Sequence, residues 1–281
     1  MLEPRTQVRA SSNRLAVQQF ANQSQHVSHI DQFYEDAEKG NLPAFSYVEP
    51  IWIAKKGTTS YHPGADLVVG ETELNRIYNA LRNSPNWENT LLVITFDEHG
   101  GIYDHVPPPY AENPYPNDVN DGFKFDILGV RVPTILVSPW IKEKTVFRSE
   151  TSVAFDSTSI LATLLKWYGI PKSRWGLGER TYHAPTFEGV FTCKEARTDH
   201  VKLTPPYDKN FPKDQKKWSN DIALHALHRD MAERLIWHLT QGRMSDAERH
   251  AVAEDILATV DNLDDLHTRL SALKERGRSG G

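Results

Sequence analysis

The stretch "LLVITFDEHGGIYDHVPPP", residues 91–109, decides the fold class. Its first residues are apolar or β-prone on both faces of an extended chain, which is typical of a central strand covered on both sides in a parallel sheet. "RVPTILVS", residues 131–138, has the same pattern, and "FDSTSILATLLKWYGI", residues 155–170, follows it with helical periodicity. This alternation of strand, loop and helix predicts an α/β fold with a mostly parallel sheet flanked by helices.

Helix ends and buried faces also follow from the pattern. The helix of residues 155–170 is expected to start from Asp156 or Ser157 as its N-cap. Its predicted buried stripe consists of apolar residues at helical spacing, namely Ile160, Leu161, Leu164, Trp167 and Tyr168. An earlier helix is expected to stop at Gly40, followed by a short strand in "AFSYVE", and a further helix covers about 69–83.

The composition is that of an ordinary globular protein, with 39% hydrophobic and 25% charged residues over 281 positions. A net charge of −5 provides no global basic field, so a nucleic acid partner is not expected. Cys193 is the single cysteine, which excludes an intramolecular disulfide and a Cys-rich zinc site. No signal peptide or membrane-spanning run is recognisable, so the chain as given is expected to be soluble, with its compartment left open.

Shifts in composition predict five segments along the chain. A proline- and lysine-rich stretch, "KLTPPYDKNFPKDQKKW", separates the α/β region from three helical segments at about 219–241, 246–260 and 263–275. The second of these opens with a capping box at Ser245 and Glu248. The predicted segments are a flexible leading stretch 1–28, an α/β domain 29–193, a linker 194–218, a helical extension 219–275 and a tail 276–281.

Titratable residues follow the predicted strand of residues 90–96. Ligands of open α/β sheets bind beyond the carboxyl ends of the strands, where Asp97 and Glu98 are expected to lie. Two carboxylates suit a hard cation such as Ca²⁺, Mg²⁺ or Mn²⁺, and Gly100 and Gly101 would allow close backbone approach to that ion or to a phosphate. The alternative is an exposed turn that the glycines only shape.

Two further groups contain histidine. Asp104 can orient and charge the ring of His105, or it can cap the loop while His105 packs under the prolines. His62 and Asp66 lie in "SYHPGAD", where Pro63 stiffens the turn that presents the imidazole. Asp66, together with Gly100 and Gly101, is a candidate for binding the substrate. A lone loop histidine is usually not functional, so the residues alone do not select His62.

Taken together, these motifs resemble the phosphoesterase family, which contains bacterial phosphatidylcholine-type phospholipases C, plant non-specific phospholipases C and a bacterial acid phosphatase. The similarity covers residues 29–192, including "HPGADLVVGETELNRIYNALRNSPNWENTLLVITFDEHGGIYDHVPPP". It implies an alkaline-phosphatase-like fold and metal-dependent phosphoester hydrolysis. It assigns Asp97 and Glu98 to the metal and His62 to the phosphoryl group as a catalytic histidine. Asp104 and His105 match further positions of the motif that recur in the family, and they are the other two candidate catalytic residues.

The sequence also departs from the family pattern. An N-terminal Glu-Asn motif such as "ENRSFDH" and an upstream Ser or Thr nucleophile are not found before His62, and Ser157 stands where the family has a histidine. The sheet is therefore expected to be incomplete at its N-terminus. The favoured function is a phospholipase C-type hydrolase of phospholipids or other phosphoesters. The alternatives are a truncated or inactive relative that acts as a binding protein and, more weakly, an acid phosphatase or sulfatase-like hydrolase.

An aromatic loop follows the central motif. "YAENPYPNDVNDGFKF" contains Tyr110, Tyr115, Phe123 and Phe125, which can meet lipid or an apolar substrate and so provide peripheral membrane contact. The alternative is a structured surface loop with no ligand.

Overall fold

The structure is a computed structural model, and it describes residues 6–9, 27–51, 58–63, 65–117, 122–199, 201, 203, 226–240 and 244–276. The chain divides into two compact units, one formed by Met1–Asn86 with Val201–Gly281 and the other by Trp87–His200. Each contains helices and one pair of strands in the described part, so the fold belongs to the mixed α/β class.

The first unit begins with a parallel strand pair. β1 (Thr6–Arg9) pairs with β2 (Phe45–Val48) in a register that runs from Thr6 opposite Phe45 to Arg9 opposite Val48. β2 falls within the predicted "AFSYVE" segment, whereas no regular element was expected near residues 6–9.

Two helices of this unit pack on each other. α1 (Ile30–Lys39) ends at Gly40, whose φ of 69° allows the left-handed C-terminal turn. α2 (Leu67–Arg82) buries Ile77 and Leu81, and the Tyr34 hydroxyl of α1 donates to Glu73 Oε1 of α2 over 2.6 Å. The stop at Gly40 and the second helix agree with the sequence pattern.

The C-terminal part of this unit is helical, as its periodicity predicts. The helices are α5 (Ala226–Thr240), α6 (Asp246–Thr259) and α7 (Leu263–Arg276). They share a core that includes Ile236, Ile256 and Leu266. Ser245 and Glu248 form the predicted capping box at the start of α6. None of the helices in the described part of the chain is long and apolar enough to cross a bilayer.

The strand pair of the second unit is antiparallel. β3 (Leu92–Ile94) pairs with β4 (Ile135–Val137), Leu92 lying opposite Val137. The expectation that these are central strands of a parallel sheet is wrong for the pair that they form, and Ile135 is 54% exposed. A parallel connection needs a crossover, usually a helix, and the described parts of the connecting segment, 95–117 and 122–134, contain none.

Two helices complete this unit. α3 (Ser157–Trp167) starts from Asp156, whose side chain and that of Ser159 form a capping box, and α4 (Gly178–His183) packs against it. The predicted stripe of α3 is wrong in part, since Leu161, Trp167 and Tyr168 are each more than 40% exposed. The buried face consists instead of Ser159, Ala162 and Thr163.

Several predicted segments lie outside the described residues. These are the leading stretch apart from 6–9 and 27–28, positions 200, 202 and 204–218 of the linker region, the first residues of the helical extension, 219–225, and 277–281 of the tail. The predicted domain boundaries therefore stay predictions.

Candidate functional site

The turn after β3 presents the two adjacent carboxylates to solvent. Asp97 and Glu98 are both exposed. Asp97 Oδ1 accepts a 3.0 Å hydrogen bond from the Glu98 amide, and Glu98 Oε2 accepts one from the Gly100 amide. His99 Nδ1 lies 3.7 Å from Glu98 Oε2. One oxygen of each carboxylate is thus used to shape the turn, while the other has no hydrogen-bond partner among the described residues.

Two successive glycines reverse the chain behind these carboxylates. Gly100 and Gly101 have φ angles of 68° and 71°, a left-handed conformation that costs other residues about 1–2 kcal/mol each. The Ile102 amide closes the turn by donating to the His99 carbonyl over 3.2 Å. Among the described residues, and apart from the two chain neighbours of Gly101, no atom lies within 4 Å of where a Cβ on Gly101 would be. The predicted approach of an ion or a phosphate to this backbone stays a prediction.

Asp104 is held by an arginine from the segment that leads into β4. Arg131 donates from Nε and from one terminal nitrogen to the two Asp104 oxygens over 2.7 and 2.8 Å, and the Val106 amide donates to Oδ1 over 3.1 Å. These hydrogen bonds, the arginine's first, hold the pKa of the Asp104 carboxyl far below its usual range. Asp104 is therefore ionised at neutral pH, and its ion pair with Arg131 joins the loop after β3 to the segment before β4.

His105 lies beside this anchored carboxylate. Its Nδ1 is 3.5 Å from Asp104 Oδ1, and its side chain is 81% exposed. The imidazole does not pack under the prolines, which was one of the two predicted arrangements. Because both Asp104 oxygens already accept from Arg131, the orienting influence on the ring is weak.

His62 lies in the first unit, at the end of a segment held by hydroxyl groups. The Thr58 hydroxyl donates to the Ile51 carbonyl, Thr58 Oγ1 accepts from the Ser60 amide, and Ser60 Oγ accepts from the His62 amide. His62 Nδ1 lies 2.9 Å from the Pro63 carbonyl, which can only accept. The ring hydrogen therefore lies on Nδ1, and the neutral imidazole carries its lone pair on Nε2.

Asp66 begins α2 and faces its backbone. Its carboxylate accepts from the Val68 amide over 2.8 Å and so serves as the N-cap of the helix. The first turn of α2 also packs against the residue before His62. The Tyr61 hydroxyl donates to Glu71 over 2.8 Å, and a Cβ added to Gly70 would lie 2.5 Å from the Tyr61 ring. Asp66 and Gly70 thereby fix the loop that carries His62.

The turn after β3 fits a hard divalent cation in its chemistry, since Asp97 and Glu98 each offer an uncommitted carboxylate oxygen to solvent. Two carboxylates leave most of such an ion's coordination shell to be filled by other ligands. Within the described residues, no group of three or more His, Cys, Asp or Glu side chains is placed to hold a metal.

The structure therefore groups the predicted residues as two sets. His62 and Asp66 belong to the first unit, and the turn after β3 with the Asp104–His105 pair belongs to the second. Arg131, the partner of Asp104, escaped prediction. In the sequence Arg131 is marked only as a single positive charge at the start of "RVPTILVS".

A cavity of about 380 Å³ in the second unit was also not predicted. It lies between the aromatic loop, the residues before α3, and α4, and its lining includes Tyr110, Glu112, Asp156, Arg180 and His183. These residues are far apart in sequence, so no local pattern indicates the cavity.

Comparison with known proteins identifies relatives of the chain. The model of the phosphoesterase family matches residues 1–171. Non-specific phospholipase C6 of Arabidopsis thaliana is 45% identical over 185 residues, which are 62% of this chain and 35% of that protein. Non-specific phospholipase C5 of the same plant is 38% identical over 178 residues, 60% of this chain and 34% of the relative. Non-hemolytic phospholipase C of Burkholderia pseudomallei is 34% identical over 147 residues, 47% of this chain and 20% of the relative.

The chain spans about one third of the length of the plant relatives it matches. The matched segment includes the His62 loop, the turn after β3 and the Asp104–Arg131 pair, and the family model covers more than half of the chain. The chain belongs to the phosphoesterase family.

Proposed function

We propose that the protein hydrolyses phosphoesters in a divalent-metal-dependent reaction of the phospholipase C type, on an alkaline-phosphatase-like α/β fold in which the antiparallel pair of β3 and β4 is an exception to a mostly parallel sheet. The observation that carries the proposal is the turn after β3, where Asp97 and Glu98 each keep an uncommitted oxygen toward solvent within a segment matched by the phosphoesterase family. The names of the similar plant and bacterial phospholipases C support the choice of reaction.

In this proposal the two carboxylates hold the ion. A Ca²⁺, Mg²⁺ or Mn²⁺ ion, when bound, supplies positive charge for the phosphoryl oxygens. Gly100 and Gly101 leave room for the substrate to approach the backbone, since no other described residue fills the space beside Gly101. Asp66 acts through the backbone by holding the helix that follows the His62 loop.

His62 is the proposed general acid. Its Nδ1–H is held by the Pro63 carbonyl, so a protonated ring has its second N–H on Nε2. In this hydrolysis a water molecule attacks phosphorus and releases a proton to solvent, the P–O bond to the alcohol breaks, and the His62 proton passes to the leaving alkoxide. Asp104 transfers no proton, because its carboxyl is held ionised by Arg131. It positions the loop that carries His105.

The proposed substrate is a phospholipid, cleaved between the glycerol and phosphate so that diacylglycerol leaves. The alternative substrates are soluble phosphoesters, as for an acid phosphatase, or sulfate esters. Peripheral contact with a membrane surface is part of the proposal for the lipid substrate.

The test is hydrolysis of a chromogenic phosphocholine diester by the purified chain, with Ca²⁺, Mg²⁺ or Mn²⁺ added in turn after chelation. Activity should depend on one of these ions and should be lost in Asp97→Ala and Glu98→Ala. Glu150→Ala, which removes an exposed carboxylate elsewhere in the second unit, should leave it unchanged. Equal rates for the wild type and Asp97→Ala would exclude the proposed reaction. A matched phosphomonoester and a sulfate ester distinguish the alternative substrates.

A second candidate is a binding protein that retains the turn without catalysis. It is favoured by the donor count, since no third acidic, histidine or cysteine side chain joins Asp97 and Glu98 in a possible metal-binding group within the described part. Calorimetry with the same ions and a non-hydrolysable phosphocholine analogue tests it. Binding that requires Asp97, in a chain that hydrolyses none of the substrates, would select this candidate.

A further inference from the structure

The loop between the central motif and β4 exposes aromatic side chains. Tyr110 is 84% exposed, Tyr115 49%, Phe123 65% and Phe125 44%. Ile127, opposite Tyr110 in an isolated antiparallel bridge, is 53% exposed, and bridged residues point to the same side of the backbone. We call these five residues the aromatic surface. Side chains of this kind normally contribute to a protein core, and a concentration of exposed ones in one loop is typical of an interaction site.

The loop that carries this surface is fastened at its base. The Ala111 amide donates to the Asp126 carbonyl over 2.8 Å, and the Leu128 amide donates to the Pro109 carbonyl over 3.0 Å. Arg180 of α4 donates from Nε to the Glu112 carbonyl over 2.8 Å and from a terminal nitrogen to the Phe125 carbonyl. The backbone that carries the aromatic side chains is therefore fixed by hydrogen bonds while the side chains themselves are exposed.

The start of α4 also contacts the part of the loop that contains Pro114 and Tyr115. The Glu179 amide donates to the Pro114 carbonyl over 2.8 Å. A Cβ on Gly178 would lie 2.5 Å from that carbonyl oxygen and 3.0 Å from the Tyr115 ring, so only glycine fits here. The position of Tyr115 is thereby fixed by backbone contacts.

Phe125 is held in an unfavourable conformation. Its φ of 50° lies in the left-handed region, which is rare for a bulky residue and costs about 1–2 kcal/mol. Its ring packs edge-to-face on Phe123 at 4.6 Å between centroids, yet both rings remain exposed. Burial within the chain does not offset this strain, and such outliers concentrate at ligand-binding positions.

The size of the surface favours a lipid over a protein partner. At about 200 Å² for a fully exposed aromatic side chain, the four rings present roughly 500 Å². Even if all four rings met one partner, this area would be below the roughly 800 Å² that each partner contributes to a standard protein interface, while it is in the range of apolar patches that mark smaller interaction sites. Aromatic side chains with a polar tip, such as Tyr110 and Tyr115, favour the boundary between headgroups and acyl chains.

Charge narrows the choice of lipid. Residues 110–127 contain four acidic residues and one lysine, a net charge of −3. An anionic membrane surface would repel such a loop, and so would the same loop of a second copy. We propose that the aromatic surface docks the protein on a zwitterionic phospholipid surface such as phosphatidylcholine. The inference rests on the proposed function in one respect, namely that docking on phospholipid brings the enzyme to its proposed substrate.

The test is partition of the full chain onto vesicles of phosphatidylcholine, measured by co-sedimentation. Tyr110→Ser combined with Phe123→Ser should weaken partition by about 30-fold, since each ring loses its transfer into the interface. Tyr168→Ser removes a ring of 47% exposure outside the surface and should not weaken it. Addition of phosphatidylserine to the vesicles should reduce the partition of the wild type, and salt should restore it.

The proposal would be overturned by equal partition of the double variant and the wild type, or by an equal loss in Tyr168→Ser. Weakened partition with a changed oligomeric mass in solution would assign the surface to a protein interface. Hydrolysis of the soluble diester separates this inference from the proposed function. The double variant should retain hydrolysis of the soluble diester. If the wild type is inactive on the diester but binds the vesicles as described, the proposed function is refuted and the docking surface is not.

Discussion

The contact between Gly70 and Tyr61 permits a quantitative prediction about the His62 loop. A Cβ at position 70 would lie 2.5 and 2.8 Å from two Tyr61 ring carbons and 3.0 Å from the Thr59 carbonyl oxygen. Ordinary carbon–carbon contacts are about 3.5–4.0 Å. The ring has little freedom to retreat, because the Tyr61 hydroxyl is bonded to Glu71.

Gly70→Ala has two opposing effects on stability. Alanine in a helix is favoured over glycine by about 1 kcal/mol, which alone would stabilise the protein. Forcing a methyl group into a filled space typically costs about 1–3 kcal/mol, and a 2.5 Å contact belongs at the upper end. We therefore expect the free energy of unfolding to fall by about 1–2 kcal/mol. Displacement of Tyr61 should also move the neighbouring His62 and lower kcat on the soluble diester by about tenfold.

A double-mutant cycle tests this reasoning through urea unfolding. In a Tyr61→Ala background the ring is gone, so Gly70→Ala should no longer destabilise by the same amount, and the two changes should couple by about 1–3 kcal/mol. Gly129→Ala, where no atom lies within 4 Å of the added Cβ, is the control for an ordinary glycine replacement. An equal effect of Gly70→Ala with and without the ring would refute the steric argument.

Three further predictions concern the second unit. Asp104→Asn should lower the urea midpoint at neutral pH. Because the pKa of Asp104 is depressed in the folded state, the difference in midpoint between the variant and the wild type should shrink as the pH falls below the ordinary pKa of 3.8. A difference that does not depend on pH would argue against the ion pair with Arg131. Asp156→Ala should lower the free energy of unfolding, measured with urea, by about 1 kcal/mol because it removes the N-cap of α3. Asp156→Ser should retain most of that stability, and equal losses in the two variants would show that the cap is unimportant. Thr163→Val should cost about 1–3 kcal/mol by the same measurement, because the buried hydroxyl accepts from the Phe187 amide over 3.2 Å, and unchanged stability would contradict that role.

Local features of the fold could be predicted because their causes are local. Gly40 ends α1 through its own φ angle, and Ser245 with Glu248 starts α6 through bonds that span three residues. The face that a helix buries depends instead on its neighbours. In α3, Thr163 is buried because its hydroxyl bonds the Ser159 carbonyl and the Phe187 amide, while the more apolar Leu161 stays exposed.

Strand direction and charge pairing could not be predicted for the same reason. The sequences of β3 and β4 indicate strands but contain no information on orientation, which the segment between them determines. Asp104 was noticed as an acid beside a histidine, yet its partner Arg131 is 27 residues away and is found only through the fold. The turn of Asp97 and Glu98 was predicted because a strand end and two glycines mark it locally.

Arg180 has a consequence for how the aromatic loop can change in evolution. Its guanidinium bonds the main-chain oxygens of positions 112 and 125, and main-chain oxygens are present whatever side chain occupies those positions. The side chains at positions 112 and 125 can therefore change without the loss of these two bonds. Arg180 itself cannot be replaced by lysine without losing this arrangement, since a single ammonium group cannot reproduce the planar guanidinium that bonds both main-chain oxygens.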